Sequence, residues 1–313
     1  MATPDPDLIT TGDFYLDPSD ISVDLSNSRK FSVVQQLGRQ VSFGPAGGRW
    51  LDVDDVQGGF VGAEGGRKPI WNPTTQKGNM AVREWAVVIP LPKRLVRFNP
   101  QGAIERIRAR IPEAYARAFD DLAFTGAGVG GQSNLNTAVT QTVSLGANTV
   151  AEGGLWADFN DGLEVLLKAT GGPRKLTGSV LDSILEPVIN RHVDLNGQPV
   201  WTGVPVGPDT AEAIQVGRLI NRPARLADSI ATGTGSTKVV GYMGDWNRLL
   251  WGQIGGMEFF VSQEGTYVDD DGTTHSAVQE NLILFRAEAL LGIQVADEDA
   301  FVKVLAGTTS AAS

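Results

Sequence analysis

Residues 41–92 alternate apolar and polar side chains over a length that a single strand of a compact sheet does not use, and turn formers split the stretch in two. The alternation runs through VSFG, then GGFVGAEGG, then MAVREWAVVIPLP. RKPIWNPTTQKGN, between the last two, is dense in Pro, Asn, Gly and Thr. Met80, Val82, Glu84, Ala86 and Val88 stand opposite Ala81, Arg83, Trp85 and Val87, the period-two pattern of a strand. Two strands joined at a turn-rich tip make a projecting β-hairpin. An isolated two-stranded ribbon is marginal in water, so this one is expected to lie across another chain.

The period then changes. In 101–124, Ile104, Ile107, Ile111, Ala114 or Tyr115, Ala118 and Leu122 recur at helical spacing, while Glu105, Arg106, Arg108, Glu113, Arg117 and Asp121 face elsewhere. This predicts an amphipathic helix roughly 35 Å long at ~1.5 Å per residue. Pro112 lies inside it, and an interior Pro costs about 3 kcal/mol, so a bent helix or two short ones are expected. Residues 1–40 are polar, with Pro4, Pro6 and Pro18 and scattered Leu8, Ile9, Phe14 and Tyr15. They read as an extended arm with little core of its own, lying on a neighbouring subunit, or else as a partly disordered terminus.

Further along, 126–150 reads as a loop with at most one strand. LWADFNDGLEVLLKAT reads as a second helix closed by Gly171, Gly172 and Pro173, and LDSILEPVINRHVD as a third, interrupted at Pro187. KVVGYMGDW reads as a buried strand, and MEFFVSQ and NLILFRAEALLGIQVADEDAFVKVLA as closing strands. Late strands pairing with early elements make the class α+β rather than doubly wound α/β.

Chemistry is excluded more readily than it is found. The chain has no Cys, so disulfides, thiolate catalysis and Cys-ligated metals are out. His192 and His275 are the two histidines, too few for a His-rich zinc site. A net charge of −10 opposes sequence-independent duplex binding, although a wall facing packed DNA tolerates it. No apolar run approaches the ~20 residues that span a bilayer. MATPDPDLITTGDFYLDP has neither the basic start nor the apolar stretch of a secretory signal, which fits a protein made in the cytoplasm. Gly126, Gly128 and Gly131 match a dinucleotide fingerprint, but a helix precedes them and a polar loop follows, the reverse of the required context. Asp269-Asp270-Asp271-Gly272 lacks the later ligands of a calcium loop and reads as an acidic hairpin turn. No phosphate loop, nucleophile elbow or zinc-protease helix occurs, and no cofactor is implied. Arg106, Arg108, Arg110 and Arg117 are interleaved with Glu105, Glu113, Asp120 and Asp121, a solvated face rather than a phosphate-binding one.

Taken in order, four stretches resemble the major capsid proteins of tailed bacteriophages, which share the HK-ninety-seven-like fold. FVGAEGGRKP is similar to the start of that family's extended loop. AVVIPLPKRLVRFNPQGAIERIRARIPEAYARAFDDLAFTGAG resembles the return strand, the long spine helix and the following Gly loop. LNGQPVWTGVPV resembles a turn and strand of the axial domain, and NLILFRAEALLGIQVADEDAFVKVLAG the C-terminal strands.

The resemblance implies an N-terminal arm over 1–40 and an extended β-hairpin loop over 41–92. It implies a peripheral domain over 93–140 and 256–295, with the spine helix at 101–124, and an axial domain over 141–255 and 296–313. It further implies a virion protein that is not an enzyme and that assembles, in the host cytoplasm, into pentamers and hexamers of an icosahedral head. Copies of itself, a separate scaffolding protein and a portal would be its partners, and DNA would be enclosed without specific binding and without a membrane. Some family members crosslink subunits through an isopeptide bond, and Lys77, Asn281 and Glu288 match that Lys, Asn and Glu arrangement. A Glu among Leu282, Leu284, Phe285 and Leu290 would be desolvated, which suits it to take the Lys proton; alternatively Glu288 pairs with Arg286 and Lys77 is an ordinary exposed charge. Two alternatives stand beside the capsid reading: an encapsulin-type compartment shell with the same fold, and a soluble hydrolase built on an acidic pair.

Overall fold

A computed structural model describes residues 32–53, 75–94, 103–169, 174–192, 201–203, 215–228, 230–269 and 271–309, together with positions 60, 67, 68 and 70. Among them are two large sheets and one long helix that joins them. The four-stranded sheet is ordered β1-β11-β14-β4, from Arg39–Gln40 (β1), Arg83–Pro92 (β4), Leu249–Ser262 (β11) and Leu282–Val295 (β14). The seven-stranded sheet is ordered β5-β15-β10-β6-β9-β8-β7. Its strands are Thr142–Ser144 (β5), Gly178–Asp182 (β6), Trp201–Gly203 (β7), Gln215–Leu219 (β8), Arg222–Ala227 (β9), Val239–Gly244 (β10) and Phe301–Leu305 (β15). Two hairpins complete the strands: Gly48–Val53 (β2) with Thr75–Met80 (β3), and Thr266–Val268 (β12) with Thr274–Ser276 (β13). The helices are Val33–Leu37 (α1), Ala103–Phe124 (α2), Leu135–Ala138 (α3), Gly154–Leu167 (α4) and Glu186–Arg191 (α5).

Helix α2 bolts the sheets together through aromatic contacts. Tyr115 meets Trp85 of β4 edge-on at 5.3 Å, and Phe119 meets Trp251 of β11 edge-on at 5.6 Å. One turn further, Phe124 stacks on Tyr242 of β10 at 5.4 Å. Each such pair contributes about 0.5–1.5 kcal/mol beyond area burial. The described buried residues of α2 are Ile111, Pro112, Tyr115, Ala116, Phe119, Leu122, Ala123 and Phe124, with Tyr115 rather than Ala114 and Phe119 rather than Ala118. The chain stays one 22-residue helix across Pro112 instead of two short ones.

The seven-stranded sheet is covered on both faces. Val239 and Tyr242 join the core around α2, while Val240 and Met243 join a second core with Phe159 and Leu166 of α4 and Ile189 of α5. All six residues of β10 are buried for that reason. The expected third helix is shorter than predicted: Leu181 and Asp182 end a strand, and the helix begins only at Glu186, with Pro187 in its first turn. Asp182 accepts from the Ile184, Ile230 and Ala231 N–H groups, which turns the chain out of the strand.

The ribbon is present over β2 and β3, in antiparallel register from Gly48↔Met80 to Val53↔Thr75. Arg83–Pro92, which the alternation joined to it, instead pairs with β14 as a strand of the four-stranded sheet. The break at residues 81 and 82 follows from packing at the ribbon's root. A Cβ at Gly292 would stand 2.8 Å from both Met80 Sδ and Phe43 Cζ, so this glycine lets the ribbon's two chains close on β14. The expected ribbon tip over 54–59, 61–66, 69 and 71–74, the turn expected at Asn196–Gly197 within LNGQPVWTGVPV and most of the predicted arm lie outside the described residues. The described end of that arm is embedded: Val33 and Val34 are fully buried against Phe119 and Trp251.

Candidate functional site

No cleft gathers reactive groups among the described residues, and the unusual features are surfaces. On the ribbon, cross-strand pairs Arg49↔Asn79 and Leu51↔Lys77 share one face, and all four side chains are exposed. Leu51 is 66% exposed, and Phe60 and Ile70 near the tip are exposed as well. On the opposite face Trp50 lies over Gly78. The ribbon thus offers two cations and an unpartnered leucine on a scaffold of two strands, too few to be stable alone.

The four-stranded sheet has a matching asymmetry. Its inner face, with Trp85, Ala289, Leu291 and Ile293, packs on α2. On its outer face the ladder aligns Phe260, Arg286 and Val88 in one row and Glu258, Glu288 and Ala86 in the next, with Leu290 beside Glu84 beyond. Phe260 is 57% and Val88 45% exposed. The Arg286 guanidinium lies 5.3 Å from the Phe260 ring centroid, and its Nε stands 2.7 Å from Glu288 Oε1. Apolar groups, Glu84 and Glu258 therefore stand exposed together, beside a half-buried Glu288 that Arg286 pairs.

The three candidate crosslinking residues fall at separate places. Lys77 is exposed on the ribbon. Asn281 is exposed in the turn before β14, with φ +55°, and its carbonyl accepts from the Lys93 N–H at 2.7 Å. Glu288 is in mid-strand, seven residues on, or about 23 Å at ~3.3 Å per residue. One copy does not bring Asn281 to Glu288, and Glu288 is ion-paired with Arg286.

The arm's root is held by a contact that spacing does not reveal. Asp120 of α2 accepts from Ser32 Oγ at 2.6 Å and from the Val33 and Val34 N–H groups at 2.9 and 3.2 Å. Ser32 in turn accepts from the Gln35 N–H. Asp120 and Ser32 thus share the free donors at the start of α1. Burial pushes the Asp120 carboxyl up to about 7, against the hydrogen bonds from Ser32, Val33 and Val34 that lower it. Ser32 before an apolar pair is a readable N-cap; its acid partner is tertiary.

Other acids are structural. Asp158, fully buried, accepts from the Gly146 and Asn148 N–H groups. Asp161 and Glu164 line an open groove on α4, but Asp161 accepts from Asn148 Nδ2 and Glu164 pairs with Lys168. The expected acidic turn is a hairpin, β12–β13, in which His275 stands 3.0 Å from Asp269 and 3.1 Å from Glu280 and stacks on Tyr267. No group of three or more His, Asp or Glu suited to a metal occurs among the described residues, and no described helix is long and apolar enough to cross a membrane.

Comparison with known proteins agrees with this surface-dominated picture. The sequence matches the Phage capsid family over residues 21–305. It is 31% identical over 320 residues to "Probable major capsid protein gp17" of Mycobacterium phage L5, covering 96% of this chain and 93% of that one. The fold resembles a solved chain from Gordonia phage Cozz, with TM-score 0.65 and 19% identity over 88% of this chain and 87% of that one. It also resembles a chain described as the capsid of an empty GTA particle, with TM-score 0.60 and 16% identity over 89% and 90% of the two chains. These likenesses do not favour the encapsulin or hydrolase alternatives.

Proposed function

The chain belongs to the Phage capsid family, and on that premise we propose how it builds a shell. It is a major capsid protein, a structural component of the virion rather than an enzyme, and it self-associates. The finer reading is that it forms pentamers and hexamers that close into an icosahedral head around the genome. The single observation that carries this is the ribbon, which leaves Leu51, Arg49 and Lys77 uncovered on two strands that cannot stand alone. Its natural cover is the outer sheet face of an adjacent copy, where Glu84 and Glu258 offer opposite charge and Phe260, Val88 and Leu290 offer apolar area. Obligate interfaces of this kind bury upwards of ~2,000 Å².

Two cores bear on the proposed division into domains: the core around α2 takes in the four-stranded sheet and also Val180, Tyr242 and Phe301 of the seven-stranded sheet, while the second joins that sheet to α4 and α5, so the peripheral and axial parts would meet along α2. A scaffolding protein, a portal, enclosure of DNA without sequence-specific contact and assembly in the host cytoplasm complete the reading.

The isopeptide crosslink belongs to the same reading as a separate step. The Lys77 amine of one copy would attack the Asn281 carboxamide of another, forming the new amide and releasing ammonia, with Glu288 taking the amine proton. That step requires Arg286 to release Glu288. Denaturing electrophoresis of mature particles decides it: a ladder of multimers supports the bond, and a clean monomer band removes it. The shell itself is tested by size-exclusion chromatography with electron microscopy of the expressed protein. Megadalton shells or capsomers are expected, and a stable monomer with its ribbon folded inward overturns the proposal.

A further inference from the structure

The two edges of the four-stranded sheet are protected differently. On the β4 edge, Pro90 and Pro92 interrupt the row of N–H donors, which blunts pairing with another chain. The β11 edge has less protection. β14 pairs with one side of β11 from Leu249 to Ser262. On its other side, among the described residues, β1 pairs at Leu250 and Trp251 and the Val41 N–H donates to the Trp251 carbonyl at 2.7 Å. The register shift between Ile254 and Glu258 bends the strand, but the five residues after it, Glu258–Ser262, contain neither Pro nor Lys. Phe260 and Val261 are exposed there. An open row of N–H and C=O groups on an apolar strand is a template for one more strand.

We propose that Ile21–Ser26 from the arm of a neighbouring copy adds a fifth strand to this sheet, along the Glu258–Ser262 edge of β11. This rests on the reading that the arm reaches an adjacent subunit. Three observations choose this occupant. Ile21-Ser22-Val23-Asp24-Leu25-Ser26 alternates strictly, and no Pro occurs from Ser19 to Phe31, although Pro4, Pro6 and Pro18 interrupt the chain before it. Next, the same arm already uses this edge: Arg39–Gln40 pairs in parallel with Leu250–Trp251. Finally, Asp120 fixes the arm's root at Ser32, and the 11 residues from Ile21 up to that root can extend about 36 Å at ~3.3 Å each, enough to reach an edge on an adjacent copy. The added strand would pair the open backbone groups, with Ile21, Val23 and Leu25 on one face extending the apolar surface of the sheet.

The chain's lack of Cys makes the test clean. Subunits carrying Val261→Cys are co-assembled with subunits in which each position from Ile21 to Ser26 is replaced by Cys in turn, and the particles are oxidised with diamide. Any disulfide between the two variants then joins different copies. Strand pairing predicts linked dimers at alternate arm positions and several-fold less at the positions between, because successive side chains point to opposite faces. No dimer at any of the six positions, or equal yield at all of them, overturns the proposal. Electron microscopy of the same samples separates the two readings. Intact shells without the alternating pattern remove the fifth strand alone; absence of shells from the unsubstituted protein removes the shell reading and the strand with it.

Discussion

Ser32 Oγ donates to Asp120 Oδ1 over 2.6 Å, tying the arm's root to the long helix across 88 residues of sequence. Burial holds the Asp120 carboxyl at about 7, above its ordinary 3.8, so the folded chain binds this proton more tightly than the unfolded one. Its contribution to stability is therefore complete below about pH 4 and is lost as pH rises through 7. Thermal denaturation from pH 4 to 8 should show part of the decline in melting temperature disappearing in Asp120→Ala. Parallel profiles for wild type and variant would refute the linkage. Ser32→Ala removes the cap and should cost about 1 kcal/mol, read as a shift in denaturant midpoint.

The imidazole of His275 is gripped from both sides, Nε2 at 3.0 Å from Asp269 and Nδ1 at 3.1 Å from Glu280. The Asp269 hydrogen bond, with smaller contributions from Glu280, raises the His275 pKa above its ordinary 6.5. The clamp on the β12–β13 hairpin is present below about pH 6.5 and is lost as pH rises through the raised value. Ring-proton titration by NMR should find His275 above 6.5 and Asp269→Asn bringing it down. An unchanged midpoint in that variant would discard the clamp.

The alternation that made the ribbon legible is the same physics that holds it: Leu51 and Lys77 share a face because both strands repeat every two residues. It could not show where the ribbon ends, since period two also describes Arg83–Pro92, and only Met80 packing on Gly292 separates the two. Phe119 was hidden because α2 touches two sheets, so its apolar residues cover more than one stripe. Leu181 and Asp182 read as helix because a short, fully buried strand such as Gly178–Asp182 has no periodicity of its own. Arg286 and Glu288, two apart on one strand, were a readable pair. The Asp120 contact was not readable, because no local pattern names a partner that folding brings from the other end of the chain.

Gly78 lies directly under the Trp50 ring, and an added Cβ would stand 2.5 Å from Trp50 Nε1. Gly78→Val should expel the indole and distort the face that carries Leu51 and Lys77. Among the described residues Trp50 and Gly78 join neither core, so the melting temperature of the isolated subunit should barely move while particle yield falls. Electron microscopy paired with calorimetry checks both halves, and full particle yield from the variant would contradict the ribbon's role in assembly.

Pro112 is buried within α2 and leaves the Arg108 carbonyl without its helical N–H partner. The helix nonetheless continues, because Tyr115, Phe119 and Phe124 lock its C-terminal half to the two sheets. The weak turn is therefore concentrated just before the locked half, and we propose that a shell that expands as it matures bends the subunit there, where bending costs least. Pro112→Ala restores the missing bond and should raise subunit stability by up to about 3 kcal/mol. If the turn is a hinge, the stiffer helix also slows or limits the growth in particle radius followed by small-angle X-ray scattering. A more stable subunit whose particles expand at the wild-type rate and to the wild-type radius would confine Pro112 to a structural role.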